Sequence, residues 1–208
     1  MDFLFTFNRK IADAFFVPFF MKTPLRPNHI TALSLMSGVL AGWVVSGGSR
    51  SDFLVGAFFL QLSFILDNCD GSVARLKNMR SVSGMWLDFT ADLIVDFAFW
   101  VGLAAAAISR GEMVFHVASL FAAAGAGSLI NFWRVSQRRL KEKTGKKESS
   151  TKHPFLSAAH ALGNDGDPSI LVWAFALFFQ PIQLLFFGAV YVHFLWVSGF
   201  LMGNVDNN

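Results

Sequence analysis

Apolar residues run on along this chain in stretches of about 20, the length that crosses a hydrocarbon core at ~1.5 Å rise per residue. Half-buried helices or strands would instead show a period. Five such stretches are clear: approximately Ile30 to Gly47, Phe53 to Leu66 with a polar continuation to Arg75, Gly84 to Ser109, Met113 to Trp133, and Ile182 to Met202. A sixth, Ser169 to Gln180, is short and closed by Pro181, so it crosses only with help from the Asp167-Pro168 region or a locally thin bilayer. Met1 to Phe20 differs. There Leu4, Phe7, Ile11 and Phe15 repeat at helical spacing while Asn8, Arg9, Lys10 and Asp13 interrupt, which predicts an amphipathic helix lying in the interface. A cleaved signal peptide fits less well, because the first cations follow the first phenylalanines and no small-residue cleavage site comes after the apolar run. The predicted fold is an all-α integral membrane protein with one domain over residues 1–208. Its interfacial helix covers 1–20 and its six transmembrane helices fall within 28–203.

Composition agrees with the pattern. The 208 residues are 54% hydrophobic and 15% charged, with 25 Phe and 6 Trp against one Tyr, which excludes an ordinary water-soluble globule. The lone cysteine, Cys69, rules out an internal disulfide or a paired-cysteine zinc site and reads as a small packing residue. The five histidines are scattered, with no pair at metal-ligand spacing, and no internal repeat or low-complexity tract is visible. Threading the six spans in order puts the N-terminus, the loop near 75 to 83, the loop from 134 to 168 and the C-terminus on one side. Of 17 Lys and Arg, only Arg50 and Arg110 then fall opposite, so the positive-inside rule makes the richer side cytoplasmic. The basic block from Arg134 to Lys152 reads as a topogenic loop facing anionic lipid, and no nucleic-acid partner is expected.

The anomaly is acid inside the predicted spans: Asp67, Asp70, Asp88, Asp92 and Asp96. Each costs roughly 2.5–3.5 kcal/mol at a span centre, so something must neutralise them. Asp67 and Asp70 are three apart and share a helix face, while Asp88, Asp92 and Asp96 step by four along one stripe of the next helix. The connecting turn brings the first four together at one mouth. Pairing with Arg75, Lys77 and Arg80 would make a purely structural ion cluster. All-oxygen ligands with no nearby His or Cys favour hard cations, Mg²⁺ or Mn²⁺, and two divalent ions bridged by shared carboxylates would balance the charge and suit phosphoryl chemistry. Gly71, Ala74 and Gly84 remove bulk among the acids, where a ligand or a neighbouring helix could approach.

Asp67-Asn-Cys-Asp70-Gly71-Ser-Val-Ala74-Arg75, followed at fixed spacing by Gly84, Asp88 and Asp92, resembles the signature of the CDP-alcohol phosphotransferase (CDP-alcohol phosphatidyltransferase) family at every fixed position. The six-span layout, the leading interfacial helix and Pro27-Asn28-His29-Ile30-Thr31 also resemble the family, so the likeness covers most of residues 1 to 135. It implies transfer of a substituted phosphate from a CDP-linked donor to an alcohol hydroxyl, with release of CMP, at a cytoplasm-facing pocket in phospholipid biosynthesis. It further implies two divalent cations and a homodimer. Carried over by position, Asp67 and Asp88 bridge the two metals, Asp70 completes the first site, and Asp92 touches the second and acts as general base. Asn28, His29, Ile30, Thr31, Gly71, Ala74, Arg75, Ser81 and Gly84 hold the CDP portion. Asp96 lies outside the signature, about 6 Å deeper along the stripe, and reads as a packing contact.

A pocket within the bilayer suits a lipid donor and a dissolved acceptor, which favours CDP-diacylglycerol. A soluble CDP-alcohol with a lipid acceptor would use the same residues. Family members with phosphorylated acceptors bring basic residues from later helices, which points here to Arg134 and Arg138, with Arg139 beside them. The acidic loop Gly163-Asn-Asp-Gly-Asp167 departs from that pattern, while the Asp67 to Asp96 run most resembles the phosphatidylinositol-phosphate-synthase-like branch, which makes inositol phosphate the expected acceptor. Two other classes compete. A divalent-cation transporter would also gather carboxylates, usually at interrupted helices near the midplane with repeat symmetry, and a silent membrane scaffold would explain the spans but not the signature.

Overall fold

The computed structural model describes residues 7–143 and 181–205, and every regular element among them is a helix. In order these are α1 (Phe7–Ile11), a π-helical turn (Ala12–Phe16), α2 (Val17–Met21), α3 (Pro27–Val45), α4 (Arg50–Leu76), α5 (Val82–Ser109), α6 (Val114–Lys143) and α7 (Pro181–Val205).

Local chemistry sets the helix ends. Extended Arg26 precedes Pro27, whose fixed φ suits the first helical position, and the Arg26 N–H donates to His29 Nδ1 at 3.3 Å. Ser49 and Asp52 cap α4 reciprocally, with Asp52 N–H donating to Ser49 Oγ at 3.1 Å and Ser49 N–H to Asp52 Oδ2 at 2.9 Å. Ser81 Oγ accepts from Gly84 N–H at 3.0 Å and starts α5. At the end of α4 the chain reverses through Asn78, which takes the left-handed φ of 55°, and Met79 N–H closes on the Ala74 carbonyl at 2.9 Å. This tight reversal sets the two acid-bearing helices side by side at one end of the bundle.

Their packing is indirect. α4 and α5 each lie along α3 and make little contact with one another, while α6 and α7 pack together and against α5. Small residues allow the close approach. Ser34, Gly38 and Gly42 line one face of α3, where a Cβ on Gly42 would run into the Ala98 carbonyl and one on Gly102 into the Gly42 carbonyl. Ser34 Oγ donates to the Ser63 carbonyl and Ser63 Oγ to the Ser34 carbonyl, both at 2.9 Å, and Ser37 Oγ donates to the Phe59 carbonyl at 2.7 Å. With no water-driven attraction between helices in lipid, such backbone proximity and hydrogen bonding set the geometry. Gly42→Leu is expected to lower unfolding stability in detergent by about 1–3 kcal/mol through overpacking; an unchanged melting temperature would contradict this close approach.

Among the described residues four helices are long and apolar enough to cross a membrane: Pro27–Val45, Arg50–Leu76, Val82–Ser109 and the Val114–Gln137 part of α6. α7, Pro181–Val205, covers the fifth expected stretch. Large apolar side chains face outward, among them Phe15 at 73%, Trp43 at 74% and Phe115 at 75% exposure, a surface for lipid rather than water. The chain is an all-helical membrane protein. The sixth expected stretch, Ser169 to Gln180, lies outside the described residues.

Two expectations change. Arg134 to Lys143 belong to α6 instead of beginning a loop, because Arg, Gln, Leu, Lys and Glu are good helix formers and prolong a helix past its apolar part. From Phe7 onward the N-terminal segment is helical and turns a face inward other than the expected one: Asn8, Ala12, Val17 and Phe20 are buried, and Phe15 points out. The π turn adds a residue between Ala12 and Val17 and shifts the inward register, while Asn8, bonded to Gln61, and Asp13, bonded to Ser72, tie the segment to α4. Lys77 secures its far end by donating to the carbonyls of Phe20 (3.2 Å), Thr23 (3.0 Å) and Leu25 (2.8 Å).

Candidate functional site

The splay between α4 and α5 leaves a polar hollow. Asp67 and Asp70 enter it from α4, and Asp88, Asp92 and Asp96 from α5. Asp67, Asp70 and Asp88 can each place an oxygen so that all three lie within 4.8 Å of one another. Three carboxylates sustain such an approach only with protons or cations among them. Asp70, only 6% exposed, accepts a hydrogen bond from Thr31 Oγ1, so α3 orients this acid of α4. Such a set of hard oxygen donors could hold one or two Mg²⁺ or Mn²⁺ ions.

Two of the three cations considered for a structural ion cluster have partners outside the acids. Lys77 is engaged by three backbone carbonyls, and Arg75 Nη2 donates to Ser72 Oγ at 2.7 Å.

Two cavities meet at the acids and share Asp70, Gly71, Arg75, Asp88 and Phe89. The larger, about 590 Å³, is lined by Asn28, Thr31, Gly71, Ala74, Arg75, Ser81 and Gly84 among others. These are seven of the nine residues expected around CDP. The other two sit differently: Ile30 is fully buried in a core cluster with Cys69 and Val73, and His29 caps α3 through Nδ1. At Gly84 an added Cβ would meet Ser81 Oγ at 3.0 Å and Asn28 Oδ1 at 3.3 Å, so glycine keeps that wall open.

The second cavity, about 410 Å³, lies on the other side of the acids, and its walls include Asp67, Asp92, Asp96, Asn68, Ser128, Asn131 and Arg9. Asp96 accepts from the buried Ser128 Oγ at 2.9 Å, and Ser128 in turn takes Trp100 Nε1 at 3.3 Å. Asp96 is therefore a packing contact to α6, as expected, and also part of the wall. Of the residues expected to meet the acceptor, Arg134 turns Nη2 to Asn131 Oδ1 at 3.1 Å, and it is Asn131 that lines the cavity. The side chain of Arg138 lies outside the described residues. Sequence reasoning missed Arg9, Ser128 and Asn131. Ser128 and Asn131 leave a trace, polar positions three apart in an otherwise apolar span, but Arg9 gives no sign of facing a site on α4 and α5.

Residues 25–200 match the family profile described as CDP-alcohol phosphatidyltransferase. A bifunctional IPC transferase and DIPP synthase from Aquifex aeolicus is 32% identical over 47% of this chain and 21% of its own length. A CDP-diacylglycerol–serine O-phosphatidyltransferase from Helicobacter pylori is 34% identical over 52% of this chain and 45% of its own. This chain thus spans less than half the length of these curated relatives. Among solved structures, phosphatidylinositol phosphate synthase of Mycobacterium tuberculosis in apo form superposes with a TM-score of 0.62 at 19% identity, over 93% of this chain and 96% of that one. The same protein in complex with manganese and citrate gives a TM-score of 0.55 at 20% identity, over 94% and 88%. At these identities the structural likeness is one of fold.

Proposed function

Because the chain belongs to the CDP-alcohol phosphatidyltransferase family, we propose that it transfers a substituted phosphate from a CDP-linked lipid, CDP-diacylglycerol, to an alcohol hydroxyl and releases CMP. The observation that carries this reading is the gathering of Asp67, Asp70 and Asp88 within 4.8 Å at the junction of two cavities, one for each substrate.

In this reading Asn28, Thr31, Gly71, Ala74, Arg75, Ser81 and Gly84 receive the CDP portion, and the cavity beside Asp92 and Asp96 receives the acceptor. Asp67, Asp70, Asp88 and Asp92 would hold two Mg²⁺ or Mn²⁺ ions, whose bound charge offsets that developing on the phosphate oxygens. Thr31 fixes the Asp70 carboxylate, and Arg75, steadied by Ser72, faces both cavities and can meet the pyrophosphate. Asp92 takes the proton of the acceptor hydroxyl. The freed oxygen attacks the lipid-bearing phosphorus, and the bond to the CMP phosphate oxygen breaks. The pocket faces the cytoplasm in a six-span homodimer, with the N-terminal segment lying in the interface and Phe15 and Phe19 turned to lipid. Inositol phosphate is the acceptor proposed.

The test is direct. Purified protein with Mg²⁺, labelled CDP-diacylglycerol and a panel of alcohols is expected to release CMP with one acceptor class. Metal-driven cation uptake into liposomes without CMP release would replace this reading with a transporter.

A further inference from the structure

Resting on the function just proposed, we infer that Arg9, from the N-terminal helix, selects the acceptor: the second substrate is an alcohol that also carries an anionic group, and Arg9 binds that group. The hollow beside Asp92 is walled by Asp67, Asp70, Asp88, Asp92 and Asp96, a setting that repels any anion not met by a cation. Among the described residues two cations line it, Arg75 and Arg9. Arg75 also lines the donor cavity, and its Nη2 is drawn to Ser72. Arg9 lines the acceptor side alone, which makes it the cation that distinguishes one room from the other.

Arg9 is held but not consumed. Its Nε lies 3.8 Å from Asp13 Oδ2, and both side chains are about half exposed, at 56% and 48%. A pair this long and wet is weak, and the guanidinium keeps further N–H donors on its Nη atoms for an incoming oxyanion. Asp13 also accepts from Ser72 Oγ at 2.8 Å, and Ser72 is the partner of Arg75. One carboxylate on the N-terminal segment thus links the two arginines, Arg9 directly and Arg75 through Ser72. The rest of the wall suits hydroxyls, since Asn68, Ser128 and Asn131 offer both donors and acceptors. Planar, permanently charged guanidinium matches phosphate or carboxylate equally in kind, so the shared chemistry is an oxyanion on a hydroxylated molecule.

The experiment measures acceptor kinetics with CDP-diacylglycerol and Mg²⁺ for phosphorylated polyols (inositol phosphate, glycerol phosphate), a carboxylate acceptor (serine) and uncharged polyols (inositol, glycerol). Wild type is expected to prefer an anionic acceptor, and the panel tells phosphate from carboxylate. Arg9→Gln should raise KM for that acceptor roughly tenfold or more, the scale of one lost charge-assisted hydrogen bond, while kcat and the donor KM shift far less. Arg9→Lys keeps the charge without the planar fork and should fall between the two; if Arg9→Gln is not recovered folded, a rise in acceptor KM alone for Arg9→Lys carries the same test. An uncharged best acceptor, an unchanged acceptor KM, or equal rises for donor and acceptor would each overturn the inference while leaving the phosphotransfer reading intact. Wild-type protein that releases CMP with none of the panel would overturn both.

Discussion

Asp92→Asn is expected to cut CMP release by roughly 10²–10⁴-fold, the usual contribution of a positioned general base, while leaving binding of the CDP donor within a few-fold of wild type. The separation follows from placement: Asp92 lines the cavity proposed for the acceptor and not the one proposed for the donor. Asn preserves the shape and an acceptor oxygen but cannot take up the hydroxyl proton. Single-turnover release of CMP from labelled donor, alongside equilibrium donor binding, makes the check. Residual turnover above a tenth of wild type would remove the base role, and loss of donor binding in step with turnover would make Asp92 a structural ligand of the donor site instead.

Asp67→Ala is expected to abolish divalent-cation binding and lower turnover by about a thousandfold or more, since several kcal/mol of charge stabilisation are at stake and each 1.36 kcal/mol is tenfold. Asp67 is singled out because it belongs to the group of three acids within 4.8 Å of one another and lines the same cavity as Asp92, so it stands between Asp70 on α4 and the acids of α5. Mn²⁺ binding followed by electron paramagnetic resonance should show high-affinity ions in wild type and their loss in the variant. Chelator treatment of wild type should reproduce the activity loss, with recovery on adding Mg²⁺ or Mn²⁺. A variant that still binds manganese at wild-type affinity would place the ions elsewhere.

Legibility differed residue by residue. The acids could be found from sequence because a carboxylate inside a 20-residue apolar run is costly, and because steps of three and four along a helix settle which of them share a face. The same periodicity, joined to the short turn at Asn78, placed the two sets at one mouth. Seven of the nine residues expected around CDP line one cavity, since most lie on the same two helices and the fixed spacing carries them there. Ile30 and His29 did not follow, because neighbouring positions on a helix point about 100° apart: one turned into the core and the other back onto its own helix start. Arg134, for the same reason, lies beside the stripe of Ser128, Asn131, Phe132 and Val135 that faces the cavity.

Sequence by itself determined that this chain is helical and lives in lipid, and that a band of aspartates at fixed spacing on two consecutive helices must be neutralised there; both are consequences of local period and of the energy of transferring charge out of water. Only the tertiary structure decided that α4 and α5 lean on α3 rather than on each other, so that the acids stand at the seam of two hollows. It also decided that Arg9, from a segment with its own separate pattern, reaches one of those hollows. Such long-range placements depend on where small residues such as Gly42 and Gly102 let backbones touch and on how one π turn reorients a helix. No short-range periodicity encodes them.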